Sequence, residues 1–334
     1  MSCAALVARS QPFVAFGRAA PELDVALDPH AARFLDMLAA ACAGGQEDRT
    51  VESYRSAFAR LTAFSGRPEQ SDVADGWAQG RSAAIPIRIY APPGAGSEPL
   101  PTLVYFHGGG WVAGSLQTHD HLCGFLAHDS GCKIVAVSYR LAPEFQFPAG
   151  LEDCCDALLA LSCQAETFGI DRERIAVGGD SAGAGLAVAA CRFASARGLP
   201  IALQLLLCPV LDPWGDWPSR RAFASGFFLE ETAMADYLAF YGAPADLADP
   251  RVSPLRASDF TNLPSALIHT AEFDPVRDEG RAYADVLASA GVPVRYTCHS
   301  GMIHHFYGLT GVIASARRTL VGIGCELGEH LKAP

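Results

Sequence analysis

The spacing of hydrophobic positions changes near residue 100 of the chain. From there on, uninterrupted runs of Val, Ile and Leu alternate with segments whose apolar residues recur at helical spacing. Uninterrupted runs are typical of strands covered on both faces, so they predict an α/β fold around a parallel sheet. The predicted strands are 101–106, 132–139, 174–179, 200–209, 265–271 and 293–299, and the predicted helices are 119–130, 150–166, 279–291, one from residue 181 and one from about residue 311. The alternating stretch 85–92 predicts an antiparallel strand at the edge of the sheet.

Two segments interrupt this alternation and predict a cap. Residues 28–64 have helical spacing with no strand between them. Residues 212–244 connect two predicted strands and are rich in aromatic side chains, which suits the lining of a pocket better than a plain connection. We therefore expect an arm and cap helices at 1–65, with a weakly placed arm over the first 25 residues. The main domain is expected at 66–334, with 212–244 as an inserted cap segment.

Composition and charge exclude several classes of partner. The 334 residues carry a net charge of −11 and no run of Lys or Arg, which excludes a nucleic-acid partner and electrostatic attachment to an anionic membrane. No stretch reaches the roughly 18 apolar residues of a membrane span, and the N-terminal residues lack the basic segment of a signal peptide. The 11 cysteines show neither CxxC pairs nor zinc spacing, so we expect reduced thiols and a cytoplasmic location.

The stretch "GGDSAG" places Ser181 between a predicted strand and a predicted helix. Gly179, Ser181 and Gly183 fit the pattern G-x-S-x-G, in which a sharp turn exposes the serine hydroxyl and leaves no room for flanking side chains. The pattern alone is a weak signal in a glycine-rich chain, but the strand–turn–helix context strengthens it. Ser181 is therefore a candidate nucleophile, and the alternative is a small residue in a tight turn.

A glycine-rich loop, "YFHGGGW", follows the first predicted buried strand. A serine nucleophile needs backbone donors for the negative oxygen of a tetrahedral intermediate, and consecutive glycines can turn their N–H groups toward one point. We expect such donors from Gly108 and Gly109, with the N–H of Ala182 as the third. His107 is expected to brace this loop, since it precedes the strand that carries the serine.

An acid and a base follow the serine in the order that such a site requires. Asp274 comes just after a predicted strand, and His304 or His305 lies in the loop after the last predicted strand. Asp274 is favoured as the acid because its position at the strand end lets its side chain reach back across the edge of the sheet. Of the nearby alternatives, we expect Asp278 to be a surface carboxylate. Glu272 and Asp212 are expected to brace loops or cap helices.

The remaining histidines have structural interpretations. His119, His121 and His128 have metal-like spacing on a predicted helix, but nothing supplies the remaining ligands. We therefore expect these three on a solvated helix face and predict no metal site. His269 and His299 are expected to be core or structural residues in strands or at their ends.

Several stretches in a fixed order resemble the hormone-sensitive lipase family of α/β-hydrolases, which includes the bacterial family IV esterases. They are "HGGGWVAGSLQTHDHLC", "VSYRLAPEFQFPAGLEDC", "GGDSAGAGLA", "DPRVSPL", "AEFDPVRDEG" and "GMIHHFYG". They span about residues 85–310, and "LDPHAARFLDMLAA" resembles the N-terminal cap helix of the family. The resemblance implies an α/β-hydrolase fold, with a mostly parallel eight-stranded sheet flanked by helices and a helical cap. The domain at 66–334 is then the catalytic domain.

The same resemblance implies a serine carboxylesterase that uses neither a metal nor an organic cofactor. Ser181 would attack the ester carbonyl, His304 would remove and return the proton, and Asp274 would orient the imidazolium. The oxyanion hole would consist of Gly108, Gly109 and Ala182. The family often pairs through the last strand of the sheet, so a homodimer is one arrangement that the resemblance allows.

One position departs from the family pattern. The family has Gly after the catalytic histidine, whereas this chain has "HHF". Alignment on "GMIH" assigns the catalytic role to His304 rather than to His305. His305 is then expected to narrow the pocket, or to adopt a backbone conformation that favours glycine.

Aromatic residues in the inserted segment predict a small-molecule ester substrate with a short-to-medium acyl chain or an aryl group. The expected pocket residues are Trp111, Trp214, Phe227, Phe228 and His305. One alternative is an amidase or deacetylase that uses the same three residues. Another is a non-catalytic receptor for small molecules on the same scaffold, but the filled Ser, Asp and His positions favour an enzyme.

Overall fold

The computed structural model describes residues 26–42, 49–66, 71–242 and 249–332. In this part of the chain, eight strands form one sheet. They are β1 (Asp72–Gln79), β2 (Ala84–Ala91), β3 (Leu100–Phe106), β4 (Lys133–Val137), β5 (Ile170–Asp180), β6 (Leu203–Leu207), β7 (Ser265–Phe273) and β8 (Val294–Ile303). The expected arm over the first 25 residues lies outside the described residues.

The sheet has the strand order β1-β2-β4-β3-β5-β6-β7-β8. β2 is antiparallel to both of its neighbours. The other strands of this order, β4, β3, β5, β6, β7 and β8, run parallel to one another. The mostly parallel eight-stranded sheet of the prediction is therefore confirmed. The carboxyl ends of parallel strands lie at one edge of a sheet, where ligand sites of such folds form.

The predicted edge position of the stretch 85–92 is wrong. β2 is antiparallel, as predicted, but it lies between β4 and β1, and β1 forms the edge. β1 pairs with β2 along its whole length, from Asp72 opposite Ala91 to Gln79 opposite Ala84. Its sequence, "DVADGWAQ", has neither an apolar run nor a clean alternation, so the hydrophobic pattern did not indicate a strand there.

Helices cover both faces of the sheet. They are α1 (Pro29–Cys42), α2 (Val51–Arg60), α3 (Asp120–Ser130), α4 (Ala149–Cys163), α5 (Ala182–Ser195), α6 (Pro218–Ala222), α7 (Glu231–Tyr241), α8 (Arg277–Ser289) and α9 (Ala314–Lys332). Residues of α4, α5 and α8 pack on one face, and residues of α3 and α9 pack on the other. None of the helices in the described ranges has the length and apolar character needed to cross a membrane.

The uninterrupted apolar runs follow from this two-sided cover. Along β3, Val104 and Phe106 pack into the core on one face, and Leu103 and Tyr105 pack into the core on the other. All four side chains are fully buried. A strand whose alternate residues enter two different cores has no polar face, which is why these strands could be predicted from hydrophobicity.

Two segments outside the sheet, which we call the cap segments, lie against each other. The first contains α1 and α2, and the second contains α6 and α7. The Asp236 carboxylate of α7 accepts hydrogen bonds from Arg49 Nε at 2.6 Å and from Tyr54 Oη at 2.5 Å. The ring of Tyr237 lies against Gly110, where a Cβ atom would be 2.4 Å from it. The second cap segment therefore covers the glycine-rich loop after β3.

Among the described residues, eight cysteines carry free thiols, and six of these are buried. Cys154 and Cys155 are both buried in α4, as packing residues are. Cys325 departs from the expectation of reduced thiols, because it is disulfide-bonded.

Candidate active site

Ser181 lies at the sharp turn between β5 and α5. Its backbone has φ 53° and ψ −122°, a conformation that residues other than glycine rarely adopt. The flanking glycines are required because β3 passes close by. A Cβ atom would lie 2.4 Å from the Phe106 carbonyl oxygen at Gly179, and 2.1 Å from it at Gly183. The Ser181 N–H donates to the Leu207 carbonyl at 2.8 Å, which fixes the turn to the end of β6.

Ser181, His304 and Asp274 form a continuous chain of hydrogen bonds. His304 Nε2 lies 3.0 Å from Ser181 Oγ, and His304 Nδ1 lies 2.8 Å from Asp274 Oδ2. The other oxygen, Asp274 Oδ1, accepts the Val276 N–H at 3.0 Å. Asp274 is fully buried and His304 nearly so, whereas Ser181 is only half-buried. The structure thus brings these three sequence-predicted residues together, with the serine at the accessible end.

The expected oxyanion donor Gly108 is a wrong prediction. Its N–H donates to Asp180 Oδ1 at 2.9 Å and is therefore not available to a substrate. Gly109 and Gly110 both have positive φ, at 112° and 61°, which glycine adopts without strain. Within the described residues, the N–H groups of Gly109, Gly110 and Ala182 donate to no protein acceptor. Gly110 replaces Gly108 as the candidate donor beside the two predicted ones.

Asp180 is the centre of a buried cluster that sequence reasoning missed. Its carboxylate accepts hydrogen bonds from Tyr105 Oη at 2.7 Å and Tyr307 Oη at 3.2 Å, besides the Gly108 N–H. His119 Nε2 lies 3.2 Å from Asp180 Oδ1. Burial alone would raise the pKa of the Asp180 carboxyl, but the charge and hydrogen bond of His119 outweigh it and hold that pKa well below its usual range. The signal in the sequence that could have indicated this cluster was the acidic residue directly before the serine.

The expectation of a solvated histidine face on α3 is wrong for two of its three residues. His119 is 1% exposed and His121 is 9% exposed. His121 Nε2 lies 2.7 Å from Thr310 Oγ1, so it joins α3 to the loop after β8. The cause is that α3 packs between the sheet and α9 and has no wide solvent-facing side there. Only the side chain of His128 is substantially exposed, at 41%.

His107 braces the glycine-rich loop, as predicted. Its Nδ1 lies 2.8 Å from the Gly108 carbonyl oxygen, and its ring stacks on Tyr139 at a centroid distance of 4.4 Å. Burial lowers the pKa of the His107 imidazole to about 4, so the ring is neutral near pH 7. Its role is to hold the loop in shape.

His305 adopts the left-handed backbone conformation that the missing glycine predicts, with φ 62° and ψ 17°. Its ring is nearly parallel to that of Phe228, at an interplanar angle of 8° and a centroid distance of 6.1 Å. The centroid of the Phe58 ring of α2 lies 5.3 Å from that of the His305 ring. His305 therefore contacts both cap segments, and its Nδ1 is 3.9 Å from Asp180 Oδ2.

The other expected pocket residues lie at different depths. Trp111 is buried and stacks on Tyr241 of α7 with ring centroids 4.6 Å apart. Phe227 packs on Phe273, directly before Asp274, at 5.7 Å. Trp214 is 37% exposed and makes no aromatic contact with the described residues of the site. Phe228 is therefore the expected pocket residue that the structure brings against His305.

The competing carboxylates are engaged elsewhere. Glu272 accepts a hydrogen bond from Ser300 Oγ at 2.8 Å, and Asp212 accepts one from Arg256 at 3.0 Å. Asp212 braces a loop, as predicted. Glu272 does not, because it lies within β7 and joins that strand to β8. Asp278 was expected at the surface, but its side chain is only 19% exposed and accepts a backbone N–H of α6 at 2.8 Å. It lies in the first turn of α8 and connects that helix to the second cap segment.

Comparison with known proteins shows the family to which the chain belongs. Residues 103–308 match a family described by the alpha/beta hydrolase fold. The chain is 37% identical to an ethyl acetate hydrolase from Pseudomonas putida over 322 residues, which cover 92% of this chain and 100% of the relative. It is 36% identical to an arylesterase from Saccharolobus solfataricus over 250 residues, which cover 74% of this chain and 80% of that relative.

Solved structures are similar over the same extent. A mutant of LAE6, an alpha/beta hydrolase enzyme from the metagenome of Lake Arreo in Spain, matches with a TM-score of 0.88 at 38% identity, covering 92% of this chain and 99% of that one. The hyperthermophilic esterase from the archaeon Pyrobaculum calidifontis matches with a TM-score of 0.84 at 35% identity, covering 91% and 98%. The chain therefore belongs to the α/β-hydrolase family, within the esterases that are similar to hormone-sensitive lipase.

Proposed function

We propose that the protein is a serine carboxylesterase that hydrolyses small carboxylic esters through a covalent acyl-enzyme. The observation that carries this proposal is the chain of hydrogen bonds from Asp274 through His304 to Ser181, at 2.8 and 3.0 Å. Such a chain supplies a nucleophile, a proton acceptor and a group that orients the acceptor. Its open end at the half-buried Ser181 gives a substrate carbonyl access to the hydroxyl.

In the first step, Ser181 Oγ attacks the ester carbonyl carbon while His304 Nε2 takes the hydroxyl proton. The carbonyl oxygen becomes an oxyanion, which the N–H groups of Gly109, Gly110 and Ala182 can stabilise by hydrogen bonds. When the tetrahedral intermediate collapses, the bond to the alcohol oxygen breaks, and His304 returns the proton to that leaving oxygen. The product alcohol departs and the acyl group stays on Ser181.

In the second step, water hydrolyses the acyl-enzyme by the same route. His304 Nε2 takes a proton from water, the hydroxide oxygen attacks the acyl carbon, and the bond to Ser181 Oγ breaks. The proton then passes from His304 to Ser181 Oγ, and the carboxylic acid leaves. In both steps Asp274 holds His304 Nδ1–H, so the ring keeps the tautomer that presents a lone pair on Nε2 to the serine.

The proposed substrates are short-to-medium acyl or aryl esters. Two relatives have names that fit this class, namely an ethyl acetate hydrolase and an arylesterase. We assign Phe228 and His305 to an aromatic wall of the proposed site, because their rings lie parallel with centroids 6.1 Å apart and His305 directly follows His304. An apolar wall selects by size and shape and discriminates weakly between substrates that differ by one methylene.

The test is a set of initial rates on p-nitrophenyl esters from acetate to dodecanoate. We expect wild type to prefer the shorter esters and Ser181→Ala to lose about a thousandfold or more in kcat/KM. Ser195→Ala, at the other end of α5, is the matched control and should keep wild-type rates. Turnover of p-nitroanilides but not of esters would favour an amidase, and ligand binding without any serine-dependent turnover would favour a receptor.

A further inference from the structure

Cys208 occupies a junction between the strands that carry the candidate catalytic residues. It directly follows β6, which lies between β5 and β7 in the sheet. Leu207, the last residue of β6, accepts the Ser181 N–H at 2.8 Å. The N–H of Cys208 itself donates to the His269 carbonyl of β7 at 2.7 Å. The backbone of Cys208 is therefore held from both sides.

The side chain of Cys208 points at the acid and base of the site. Cys208 is fully buried, and its backbone has φ 43°, which side-chain-bearing residues rarely adopt. Its Sγ, a carboxylate oxygen of Asp274 and a ring nitrogen of His304 all lie within 4.8 Å of one another. This thiol is thus a third group at the Asp274–His304 pair.

The thiol of Cys208 is protonated. Burial raises its pKa well above the ordinary value, and the charge of Asp274 and a hydrogen bond to Asp274 raise it further. A carboxylate can only accept hydrogen bonds, so the contact between the two side chains is an S–H donated to oxygen. Besides the two donors His304 Nδ1–H and the Val276 N–H, Asp274 thus has the Cys208 thiol as a third group within 4.8 Å.

We propose that Cys208 is a positioning residue for ester hydrolysis, whose S–H fixes the Asp274 carboxylate in the orientation that receives His304 Nδ1–H. This inference rests on the proposed function. The third donor restrains rotation of the carboxylate and withdraws part of its negative charge from the side that faces His304. Without it, the carboxylate is more mobile and attracts the imidazolium more strongly.

The experiment compares Cys208→Ala, which removes the donor, with Cys208→Ser, which keeps one. Cys191→Ala is the matched control, because Cys191 is equally buried but lies in α5 away from the pair. In Cys208→Ala we expect kcat/KM to fall about threefold to tenfold, and the acid limb of its pH profile to move up by about half a pH unit. Cys208→Ser should restore both values to within about twofold of wild type, and Cys191→Ala should change neither.

The other titratable groups near the pair stay constant across these variants. They are His305 and Tyr307 from the loop after β8, and Asp180 beyond them. A shift of the acid limb that is specific to Cys208→Ala therefore reports the lost S–H donor. The proposal is wrong if Cys208→Ala matches Cys191→Ala, or if Cys208→Ser fails to restore what alanine loses.

A second readout needs no turnover and keeps this inference separate from the proposed function. The downfield proton resonance of the His304–Asp274 hydrogen bond is recorded in each variant without substrate. This resonance should shift in Cys208→Ala and return in Cys208→Ser, even if the assays were to show no serine-dependent ester hydrolysis. If Cys208→Ala does not fold, Cys208→Ser still decides. Serine is the stronger donor, so an acid limb above that of wild type would contradict the proposal.

Discussion

Two buried aspartates of this molecule each contact a histidine, yet their surroundings differ. Asp274 and Asp180 are both fully buried, and they lie next to His304 and His119. From His304 the hydrogen bonds continue outward to the half-buried Ser181. From His119 they continue to Thr118 Oγ1 at 2.9 Å, within the protein. A buried Asp–His pair is therefore no signature of catalysis by itself, and the group at its far end makes the difference.

The Asp180 cluster has the structural task of fixing one loop against another. Asp180 directly precedes Ser181, and its carboxylate holds Gly108 of the glycine-rich loop. The distance between the candidate nucleophile and the candidate oxyanion donors is thereby set by one side chain. In the proposed mechanism, the Asp274 pair serves the chemistry and the Asp180 cluster holds the loops around it in place.

The largest expected effect distinguishes two adjacent histidines, of which His304 contacts Asp274 and His305 lies near Asp180. His304→Ala should lower kcat/KM on a short p-nitrophenyl ester by about a thousandfold or more, because the proton acceptor for Ser181 is gone. His305→Ala should cost about tenfold or less, since its Nδ1 faces Asp180 rather than the serine. If His305→Ala loses more activity than His304→Ala, the assignment of the base is off by one residue.

The next effect separates the two aspartates by two different measurements. Asp274→Asn should lower kcat/KM by about a thousandfold while the melting temperature changes little, because asparagine favours the wrong tautomer of His304. Asp180→Asn should instead lower the free energy of unfolding by about 3 kcal/mol, because it breaks a buried charged cluster. Denaturant unfolding and steady-state rates on the same preparations check both. An Asp180→Asn protein of wild-type stability would contradict the structural role.

A smaller effect is expected in the pH dependence of stability. Burial lowers the pKa of the His305 imidazole to about 3, below its ordinary 6.5. Between these values the unfolded chain binds one more proton at this position, so stability is fully present above about pH 6.5 and falls as the pH falls toward 3. From pH 7 to pH 5, wild type should therefore lose about 2 kcal/mol more than His305→Gly. The exposed His128→Ala is the control, and equal losses in wild type and His305→Gly would refute the prediction.

The smallest effect tests how His305 fits where a glycine is expected. A Cβ atom at Gly308 would lie 2.3 Å from His305 Nε2. Gly308→Ala should thus cost about 1–2 kcal/mol of stability by overpacking. In a His305→Gly background most of that cost should vanish, and a double-mutant cycle by denaturant unfolding measures the difference. Additive costs would mean that the two positions do not share this space.

Much of the fold was predictable, because the strands of a parallel sheet are buried on both faces and therefore have long apolar runs. β1 was not predictable, since it is an exposed edge strand held by backbone pairing with β2 rather than by apolar side chains. The order Ser181, Asp274, His304 came from motif and position, and their geometry fits the roles that remain to be tested. The cytoplasmic location and the homodimer remain predictions.

The errors in the site have physical causes. A run of three glycines does not reveal which N–H groups point into a pocket, and Gly108 turned out to donate to Asp180. Helical spacing does not reveal how much of a helix is covered, so His119 and His121 were wrongly expected in solvent. Cys208 gave no motif at all, because its position depends on a positive φ and on three neighbouring strands.

The most direct test of the central claim is the site of covalent modification by a fluorophosphonate, which reacts with activated serines. After digestion, mass spectrometry should find the adduct on the peptide that contains Ser181, at nearly full occupancy in wild type. The rate of labelling should fall by about a thousandfold in His304→Ala, because the serine loses its base, and much less in His305→Ala. An adduct on another residue, or hydrolysis of esters by wild type with no adduct on Ser181, would contradict the proposed mechanism.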